Sequence, residues 1–364
     1  MTDFIPTTDS GYYDVYQDDE DGTFCQKGSV RDSLKIFGPI ALSLIFIFGL
    51  VGNILVVVTF SCYKKSKTMT DIFLLNMAIA DLLFIFTLPF WAVYLEKNEW
   101  IFGDVMCKLT KSIYTINFNC SMLLLACVGI DRYVAIVQVT KSFRIRNIAL
   151  NHKGVICLAV WIVAACLSII TCIFSKTYEF GNNQFIVCDA QYPADLSASN
   201  WKFAVIAVEI GTGFLIPFIV MLFCYACIIK TLLQAKNSQR YKAIQVIVTV
   251  MIVFLVCQVP YNVSLLVKAI NLLQRYNGSC SISLEYALQS TRLLAFFHCC
   301  LNPVIYAFIG VKFRNYFVKV VQNVCFFHKF PLSRTRSSRL FSDMYTSRRT
   351  SEIFPSDGGS SFTV

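Results

Sequence analysis

The sequence predicts an all-α membrane protein, a bundle of seven transmembrane helices followed by a short amphipathic helix on the membrane surface. Of the 364 residues, 56% are hydrophobic and only 15% are charged, whereas a soluble domain has about 25% charged residues. The apolar residues come in long blocks, and a helix needs about 20 such residues to cross a bilayer. Seven blocks are long enough, at about 36–62, 70–95, 105–138, 152–174, 202–234, 242–271 and 284–308. The bundle is therefore assigned to residues 36–310.

An acidic tail, residues 1–35, precedes the first block. From Met1 to Phe24 it carries seven Asp or Glu residues and no Lys or Arg. This composition fits a solvated, disordered segment, and it fits equally an acidic surface that captures a basic protein. The tyrosines Tyr12, Tyr13 and Tyr16 lie among these acids and are candidates for sulfation, which would add negative charge.

The loops after the odd-numbered blocks are basic, whereas those after the even-numbered blocks are mixed or acidic. Because Lys and Arg concentrate in short cytoplasmic loops, we expect a multi-pass protein of the plasma membrane with the N-terminus outside and the C-terminus in the cytoplasm. The basic residues that set this orientation are Lys64, Lys65, Lys67, Lys141, Arg144, Arg146, Lys153, Lys236, Arg240, Lys242, Lys312, Arg314 and Lys319.

Four of the sixteen cysteines fall on the expected outer side: Cys25, Cys107, Cys188 and Cys280. Four cysteines allow three pairings. Because the outer space is oxidising, we expect two bridges, Cys107–Cys188 and Cys25–Cys280. One N-glycosylation sequon is expected outside, at Asn277.

Polar residues within the blocks must face the bundle interior and find partners there. Asp81 lies in the second block, and Asn117 and Ser121 lie one helical turn apart in the third. A structural hydrogen-bond network is one interpretation, and a site for an allosteric sodium ion around Asp81 is the other. No further cofactor is expected, and no spacing typical of metal ligands is visible.

The third block ends in Asp131-Arg132-Tyr133. A charged pair at membrane depth is costly and indicates a function, and the expected orientation places this pair on the cytoplasmic side. Prolines interrupt four of the blocks and favour a bundle that can rearrange, because each removes a backbone donor and tends to kink its helix. These prolines are Pro89, Pro217, Pro260 and Pro303.

Two segments follow the seventh block. Residues 311–325 are amphipathic, which predicts a helix on the inner leaflet, and Cys325 is either palmitoylated or a free thiol. Residues 326–364 are basic and rich in Ser and Thr. They form either a disordered tail or a phosphorylation platform that recruits a partner.

Taken together, these motifs resemble those of the rhodopsin-like G-protein-coupled receptors across essentially the whole chain. The matching pieces are Gly52-Asn53, Ala78-x-Ala80-Asp81, Asp131-Arg132-Tyr133, Trp161, Pro217 with Tyr225, Cys257-x-x-Pro260 and Asn302-Pro303-x-x-Tyr306. Within that class the chain is similar to the CC chemokine receptors. The stretches that carry this similarity are Thr87 to Trp91, Trp100-x-Phe102-Gly103 and Asp131 to Val137.

Two positions depart from the pattern. Gln258 stands where most of the class has Trp, and Arg292 stands where many CC receptors have Glu. The resemblance therefore implies neither an aromatic rotamer switch at the first position nor a salt bridge to a ligand amine at the second. Glu209 remains as an inward-facing acid.

The resemblance implies a receptor that binds a basic chemokine outside and activates an inhibitory heterotrimeric G protein inside, leading to chemotaxis and calcium signalling. In the resting state the residue at Arg132 pairs with that at Asp131, and in the active state it frees a cytoplasmic cleft. Arrestin and receptor kinases are expected on the C-terminal tail. The implied ligand contacts are Tyr12, Tyr13, Tyr16, Trp91, Tyr114, Glu209, Tyr261 and Arg292. The implied coupling residues are Asp131, Arg132, Tyr133, Tyr225, Pro260, Asn302, Pro303 and Tyr306.

Rival functions follow from the same sequence. An atypical scavenging receptor would bind chemokine without activating a G protein, but such receptors often show an altered arginine motif, and here the motif is intact. A transporter would show repeated halves, and none is visible. An enzyme is not expected, because only His298 of the three histidines lies within a block and no catalytic cluster or Gly-rich phosphate loop is present. No nucleic-acid partner is expected.

Overall fold

The computed structural model describes residues 28–63, 67–180, 185–192, 198–235, 238–273 and 282–309. Ten α-helices lie within these residues: α1 (Gly28–Val58), α2 (Met69–Ile85), α3 (Leu88–Lys97), α4 (Gly103–Ile136), α5 (Val139–Asn151), α6 (Lys153–Phe174), α7 (Ala198–Val208), α8 (Ile216–Ala235), α9 (Ser238–Leu273) and α10 (Ile282–Ile309). A π-helical segment, Thr59–Tyr63, follows α1, and a second, Glu209–Leu215, joins α7 to α8. Strands β1 (Ser175–Phe180) and β2 (Phe185–Ala190) form an antiparallel hairpin.

Among the described helices, six segments are long and apolar enough to cross a membrane: Leu34–Cys62, Met69–Lys97, Gly103–Ile136, Lys153–Phe174, Asn200–Thr231 and Met251–Leu272. The 28-residue α10 packs against α9 and α1. With α10 as the seventh member, the predicted seven-helix bundle is confirmed. The first helix begins at Gly28 rather than near residue 36, and the 13-residue α5 lies between the third and fourth spans.

The prolines mark the irregular points of the bundle. Ile85 ends α2, and the Thr87 side chain then donates to the Phe84 carbonyl oxygen at 2.7 Å. Pro89 falls in the first turn of α3, where its missing N–H costs no helical bond. Pro217 is the second residue of α8, which follows the second π segment, whereas Pro260 and Pro303 lie inside α9 and α10.

The β-hairpin, which the sequence analysis did not predict, is fixed to α4 by a disulfide. Cys107 and Cys188 are bonded with their Cα atoms 5.6 Å apart, so this expected bridge is confirmed. Trp100 is fully buried beside the disulfide, and its backbone N–H donates to the Ile186 carbonyl oxygen at 2.8 Å. Gly103, at φ 74°, turns the chain into α4 in a conformation that favours glycine. We call this end of the bundle the disulfide end.

The central helix is α4, which packs against α2, α6 and α8. Its buried side chains, among them Met122, Leu124 and Leu125, form the largest apolar cluster. From Cys107 to Asp131 this helix rises by about 36 Å, and we call the end that carries Asp131 and Arg132 the arginine end. One helix therefore connects two distant polar regions.

Several predicted features lie outside the described residues. They are Tyr12, Tyr13, Tyr16, the Cys25–Cys280 bridge, the Asn277 sequon, the helix at 311–325, Cys325 and the tail at 326–364. Tyr306 lies in α10, but its side chain is outside the described part. These expectations stay predictions.

Candidate functional site

The disulfide end contains a cavity of about 430 Å³, which is within the range of small-ligand sites. The structure brings to its wall all five pocket residues that the sequence singled out: Trp91, Tyr114, Glu209, Tyr261 and Arg292. These residues come from α3, α4, the second π segment, α9 and α10. Anything bound in the cavity thus contacts most of the bundle at once.

Glu209 and Arg292 line the cavity without forming an ion pair with each other. The Arg292 guanidinium lies over the Tyr261 ring, 5.7 Å from its centre, and its Nη1 is 3.4 Å from Gln289 Oε1. Glu209, the first residue of the second π segment, forms no hydrogen bond or ion pair with the residues described. A π-helical segment changes the facing of the residues that follow it and is frequent at functional sites. The cavity therefore presents an acid and a base to a ligand separately.

Sequence reasoning missed an ion pair at the mouth of the cavity. Lys111 Nζ lies 2.6 Å from Asp189 Oδ1. Lys111 is one turn beyond Cys107 on α4, and Asp189 directly follows Cys188, so the disulfide brings the two charges together. Both charged residues lie close in sequence to the cysteines of the predicted bridge, and this proximity could have predicted the ion pair.

The electrostatics of β2 follow from this pair. Burial acts to raise the pKa of Asp189, but the Lys111 ammonium and the Ala190 N–H lower it, so the pKa lies below its ordinary value. Two thirds of the Asp189 side chain nevertheless remains accessible, because the carboxylate faces the cavity. Burial and the nearby Asp189 charge raise the pKa values of Tyr178 and Tyr192 to about 12.

Three aromatic rings pack together at the cavity, and two of them, Tyr114 and Phe296, line it. Phe84 lies 5.5 Å from Tyr114 and 5.0 Å from Phe296, and Tyr114 lies 5.1 Å from Phe296, measured between ring centres. The tilted and edge-on contacts are favourable aromatic geometries. We call this trio the aromatic floor, and it separates the cavity from a second polar region below it.

That second region surrounds the buried Asp81. Asn117 Nδ2 donates to Asp81 Oδ1 at 2.9 Å, and Asn302 Nδ2 donates to Asp81 Oδ2 at 3.1 Å. Ser121 is buried, but its hydroxyl forms no hydrogen bond with the residues described. The structure therefore joins Asn117 and Asn302 to Asp81 and leaves Ser121 outside the hydrogen-bond network. Both Ser121 Oγ and Asn117 Oδ1 are buried oxygens without a described partner, a donor set that suits the expected sodium ion, which stays a prediction.

Gln258 connects α9 to α10 just above this region. Its Nε2 lies 3.4 Å from the Ala295 carbonyl oxygen and 3.3 Å from His298 Nδ1. Gln258 is fully buried, so these contacts replace water. The departure from Trp thus exchanges an aromatic contact at this position for a polar link between two helices.

The arginine end holds a compact ion-pair network around Asp131. Arg132 Nη2 lies 3.0 Å from Asp131 Oδ2, and Arg146 Nε lies 3.4 Å from Asp131 Oδ1. The Thr70 hydroxyl donates to Asp131 Oδ2 at 2.9 Å and accepts from Arg132 Nε at 3.1 Å and from Nη2. Asp131 is only 7% exposed at its side chain. We call these four residues the arginine network; Thr70 and Arg146 were not among the predicted coupling residues.

The other predicted coupling residues lie around this network or deeper in the bundle. Tyr133 packs near Phe223, with ring centres 5.8 Å apart. Tyr225 is buried, and its hydroxyl makes no hydrogen bond to the described residues. Pro260 lies within α9 and Pro303 within α10, where Pro303 packs against Gly52 of α1. The proline positions are thus well separated from the arginine network.

Comparison with known proteins agrees with this architecture. Residues 52–306 match the family model described as the seven-transmembrane receptor of the rhodopsin family. The chain is 48% identical to the C-C chemokine receptor type 6 of Mus musculus, over 99% of this chain and 98% of that protein. It is 47% identical to the Homo sapiens protein of the same name, over 100% and 96% of the two chains. It is also 39% identical to the atypical chemokine receptor 4 of Homo sapiens, over 86% of each chain.

Two sequence stretches point in the same direction as these matches. The stretches Lys141 to Arg144 and Phe313 to Phe317 predict a similarity to the type-six CC chemokine receptors. The family recognised from the motifs is confirmed by the two full-length relatives.

Proposed function

Since the chain belongs to the rhodopsin family of seven-transmembrane receptors, and within it to the CC chemokine receptors, we propose that it signals through an inhibitory heterotrimeric G protein when a basic CC chemokine binds. The chemokine binds at the disulfide end, which faces outward, and the G protein binds at the arginine end, which faces the cytoplasm. Such a receptor is not an enzyme. The proposal includes residence in the plasma membrane.

The single observation that carries the signalling proposal is the intact and closed arginine network. Arg132 is held by Asp131 and Thr70, so its guanidinium is not free to meet a partner. A buried charge is costly within a membrane, and the charges found there generally mark a functional site. Release of Arg132 from Asp131 would expose a cationic side chain at the cytoplasmic face, where the G protein binds.

The cavity supplies the ligand end of the mechanism. An acidic N-terminal tail with Tyr12, Tyr13 and Tyr16 attracts the basic chemokine body by charge complementarity. The N-terminal segment of the chemokine then enters the cavity, where Glu209 faces its cationic groups and Arg292 its carbonyl or acidic groups. Arg292 replaces the acid common at this position, so the ligand amine pairs with Glu209.

Ligand and G protein are linked by a population shift. A ligand moves the bundle between two states only by as much as its affinities for them differ. Because the cavity wall includes α9 and α10, helices that contain Pro260 and Pro303, contacts made there favour one arrangement of both helices. Tyr225 and Tyr306 then hold the open cleft, and arrestin and receptor kinases bind the phosphorylated tail at 326–364.

A scavenging receptor is the second candidate, favoured by the 39% identity to an atypical chemokine receptor. It would use the same cavity and would not couple the arginine network to a G protein. The intact Asp131-Arg132-Tyr133 motif argues for signalling instead.

One experiment separates the two candidates. Cells that express the chain are exposed to a panel of CC chemokines, and ligand binding, inhibition of adenylyl cyclase and migration are measured. The signalling proposal predicts at least one ligand that binds, inhibits cyclase and drives migration. A ligand that binds and is internalised, with no G-protein response from any member of the panel, would establish scavenging.

A further inference from the structure

The region below the aromatic floor brings three potential metal ligands together from two helices. Asp81 of α2 and the neighbours His298 and Cys299 of α10 place one carboxylate oxygen, one imidazole nitrogen and one sulfur within 4.8 Å of one another. All three residues are almost completely buried. Asp81 and His298 are far apart in the sequence, so no motif with metal-ligand spacing announces the group.

The distances within the group are those expected for ligands of a shared ion, and the one between His298 and Asp81 is too long for a strong hydrogen bond. His298 Nε2 lies 3.6 Å from Asp81 Oδ1 and 3.5 Å from Cys299 Sγ. A charge-assisted hydrogen bond from imidazolium to carboxylate would be about 2.7–2.9 Å long. Two ligands of one tetrahedral zinc ion lie about 3.4–3.6 Å apart, given the usual Zn–N, Zn–O and Zn–S bond lengths.

The surroundings orient the group as metal ligands are oriented. His298 Nδ1 lies at hydrogen-bond distance from the Ala295 carbonyl oxygen. Gln258 Nε2 lies 3.3 Å from the same nitrogen, and these two contacts turn Nε2 towards Asp81 and Cys299. Metal-binding histidines are usually held by such a bond from the other ring nitrogen. Asn117 and Asn302 fix the Asp81 carboxylate in the same manner.

We propose that Asp81, His298 and Cys299 bind a thiophilic divalent cation such as Zn²⁺, which joins α2 to α10. On binding, the Cys299 thiol loses its proton to water, and the thiolate donates an electron pair to the metal. One carboxylate and one thiolate then balance the two positive charges, so the filled site is neutral within an apolar bundle. Three protein ligands leave a fourth position for water.

The donor set decides which cation is bound. Imidazole and thiolate are ligands that zinc prefers, whereas hard cations prefer oxygen alone. The oxygens of Ser121 and Asn117 are the atoms that a sodium ion at Asp81 would use instead. Dependence on Cys299 therefore distinguishes the two ions.

The aromatic floor separates this site from the ligand cavity. Phe84 lies three residues after Asp81 on α2, and Phe296 lies two residues before His298 on α10. Once bound, the ion holds α2 and α10 together, independently of which chemokine occupies the cavity.

The test uses the full-length receptor purified in detergent without a metal-affinity resin and titrated with Co²⁺ as a spectroscopic substitute for Zn²⁺. The wild type is expected to bind one Co²⁺ with a thiolate-to-cobalt charge-transfer absorption band. Cys299→Ser should lose the band, and His298→Gln should bind more weakly by more than the roughly 10–100-fold that loss of an outer-shell partner costs. Cys300→Ser is the matched control, because the Cys300 thiol contacts the Ile45 carbonyl oxygen at 3.3 Å and should leave the band unchanged.

A second measurement needs no variant. X-ray absorption of the zinc-loaded wild type should show one sulfur at about 2.3 Å from the metal. Absence of this sulfur, or a cobalt band that persists in Cys299→Ser, would overturn the proposal. So would stabilisation by sodium chloride that is equal in the wild type and in Cys299→Ser, with no response to zinc in either.

Discussion

Two buried carboxylates, Asp131 and Asp81, occupy the polar regions of the bundle, and they are neutralised differently. Asp131 faces two guanidinium groups, those of Arg132 and Arg146. Asp81 accepts hydrogen bonds from two uncharged amides and faces an imidazole nitrogen at 3.6 Å. The first carboxylate has permanent cationic partners, whereas the second is surrounded by amide and imidazole groups.

Because their partners differ, Asp131 and Asp81 are expected to respond to different events. A carboxylate held by arginines responds when the helices move, because the cations remain charged at every physiological pH. A carboxylate surrounded by neutral donors responds to what binds beside it, whether a proton or a metal ion. In the two proposals above, the same residue type would serve conformational coupling at the arginine end and regulation at the centre.

The largest effect is expected from Asp131→Asn. The substitution leaves the Arg132 guanidinium largely buried without its carboxylate, and breaking a buried ion pair in this way costs about 3 kcal/mol or more. We expect a lower Tm in detergent together with raised G-protein activation in the absence of ligand, measured as GTPγS binding in membranes. The control is Asp104→Asn at the disulfide end, where the ion pair with Lys108 is partly accessible to solvent. Unchanged basal activity in Asp131→Asn would contradict the switch.

Arg146→Ala should show a smaller effect in the same direction. Arg146 lies 3.4 Å from Asp131, and a third of its side chain is exposed, so the pair is worth about 0.5–1 kcal/mol. Basal GTPγS binding is expected to rise, but by less than in Asp131→Asn. Arg146→Lys, which keeps the charge, should restore most of the wild-type behaviour. An effect as large as that of Asp131→Asn would show that the contact from Arg146 of α5, rather than that from Arg132, mainly holds Asp131 in the resting arrangement.

These residues also show what the sequence could and could not predict. Hydropathy located the seven spans, because a bilayer imposes long apolar blocks, and the Asp131–Arg132 pair was visible because the two are adjacent. Arg146 and Thr70 were missed, since their approach to Asp131 depends on how α5 and α2 pack on α4. The β-hairpin was missed because its two strands are only six residues long and lie between two apolar blocks.

The central region illustrates the limit more sharply. Asp81 and Asn117 were singled out as polar residues within apolar blocks, whereas His298 was noted only as a histidine within a block and Cys299 was not predicted to be a ligand. The register between α2 and α10 places these two side chains beside Asp81. Such a register depends on close packing, including that of Gly49 against Ile85 and Gly52 against Pro303, and no local pattern encodes it.

Asp81→Asn tests the other side of the comparison. The amide retains one oxygen to accept from Asn117 or Asn302, and it removes a buried charge whose desolvation costs several kcal/mol. Without added metal, we therefore expect the free energy of unfolding of Asp81→Asn to be at most about 1 kcal/mol below that of the wild type, or above it. The measurement is the Tm in detergent. Stabilisation by zinc should be lost. A destabilisation as large as that of Asp131→Asn would show that Asp81 already has a permanent cationic partner.

The smallest effect is expected at the ion pair between Lys111 and Asp189, which faces the cavity and so supplies a solvent-exposed reference for the two buried carboxylates. The pKa of Asp189 is lowered in the folded protein, so the stabilisation is fully present above the ordinary pKa of about 3.9. It is lost as the pH falls through the lower native pKa. Because two thirds of the Asp189 side chain is accessible, solvent screening limits the contribution to about 1 kcal/mol or less.

The measurement is the difference in Tm between the wild type and Lys111→Met as the pH is lowered from 7 to 3. Removing the ammonium removes the main cause of the lowered pKa, so the difference should stay constant down to about pH 4. It should shrink below that value, as Asp189 in the variant protonates near its ordinary pKa. A difference that already disappears between pH 6 and 5 would mean that burial, rather than Lys111, governs this carboxylate. Asp189 would then resemble Asp81, a carboxylate without a permanent cationic partner. Asp131, which is paired with arginines, would differ from both.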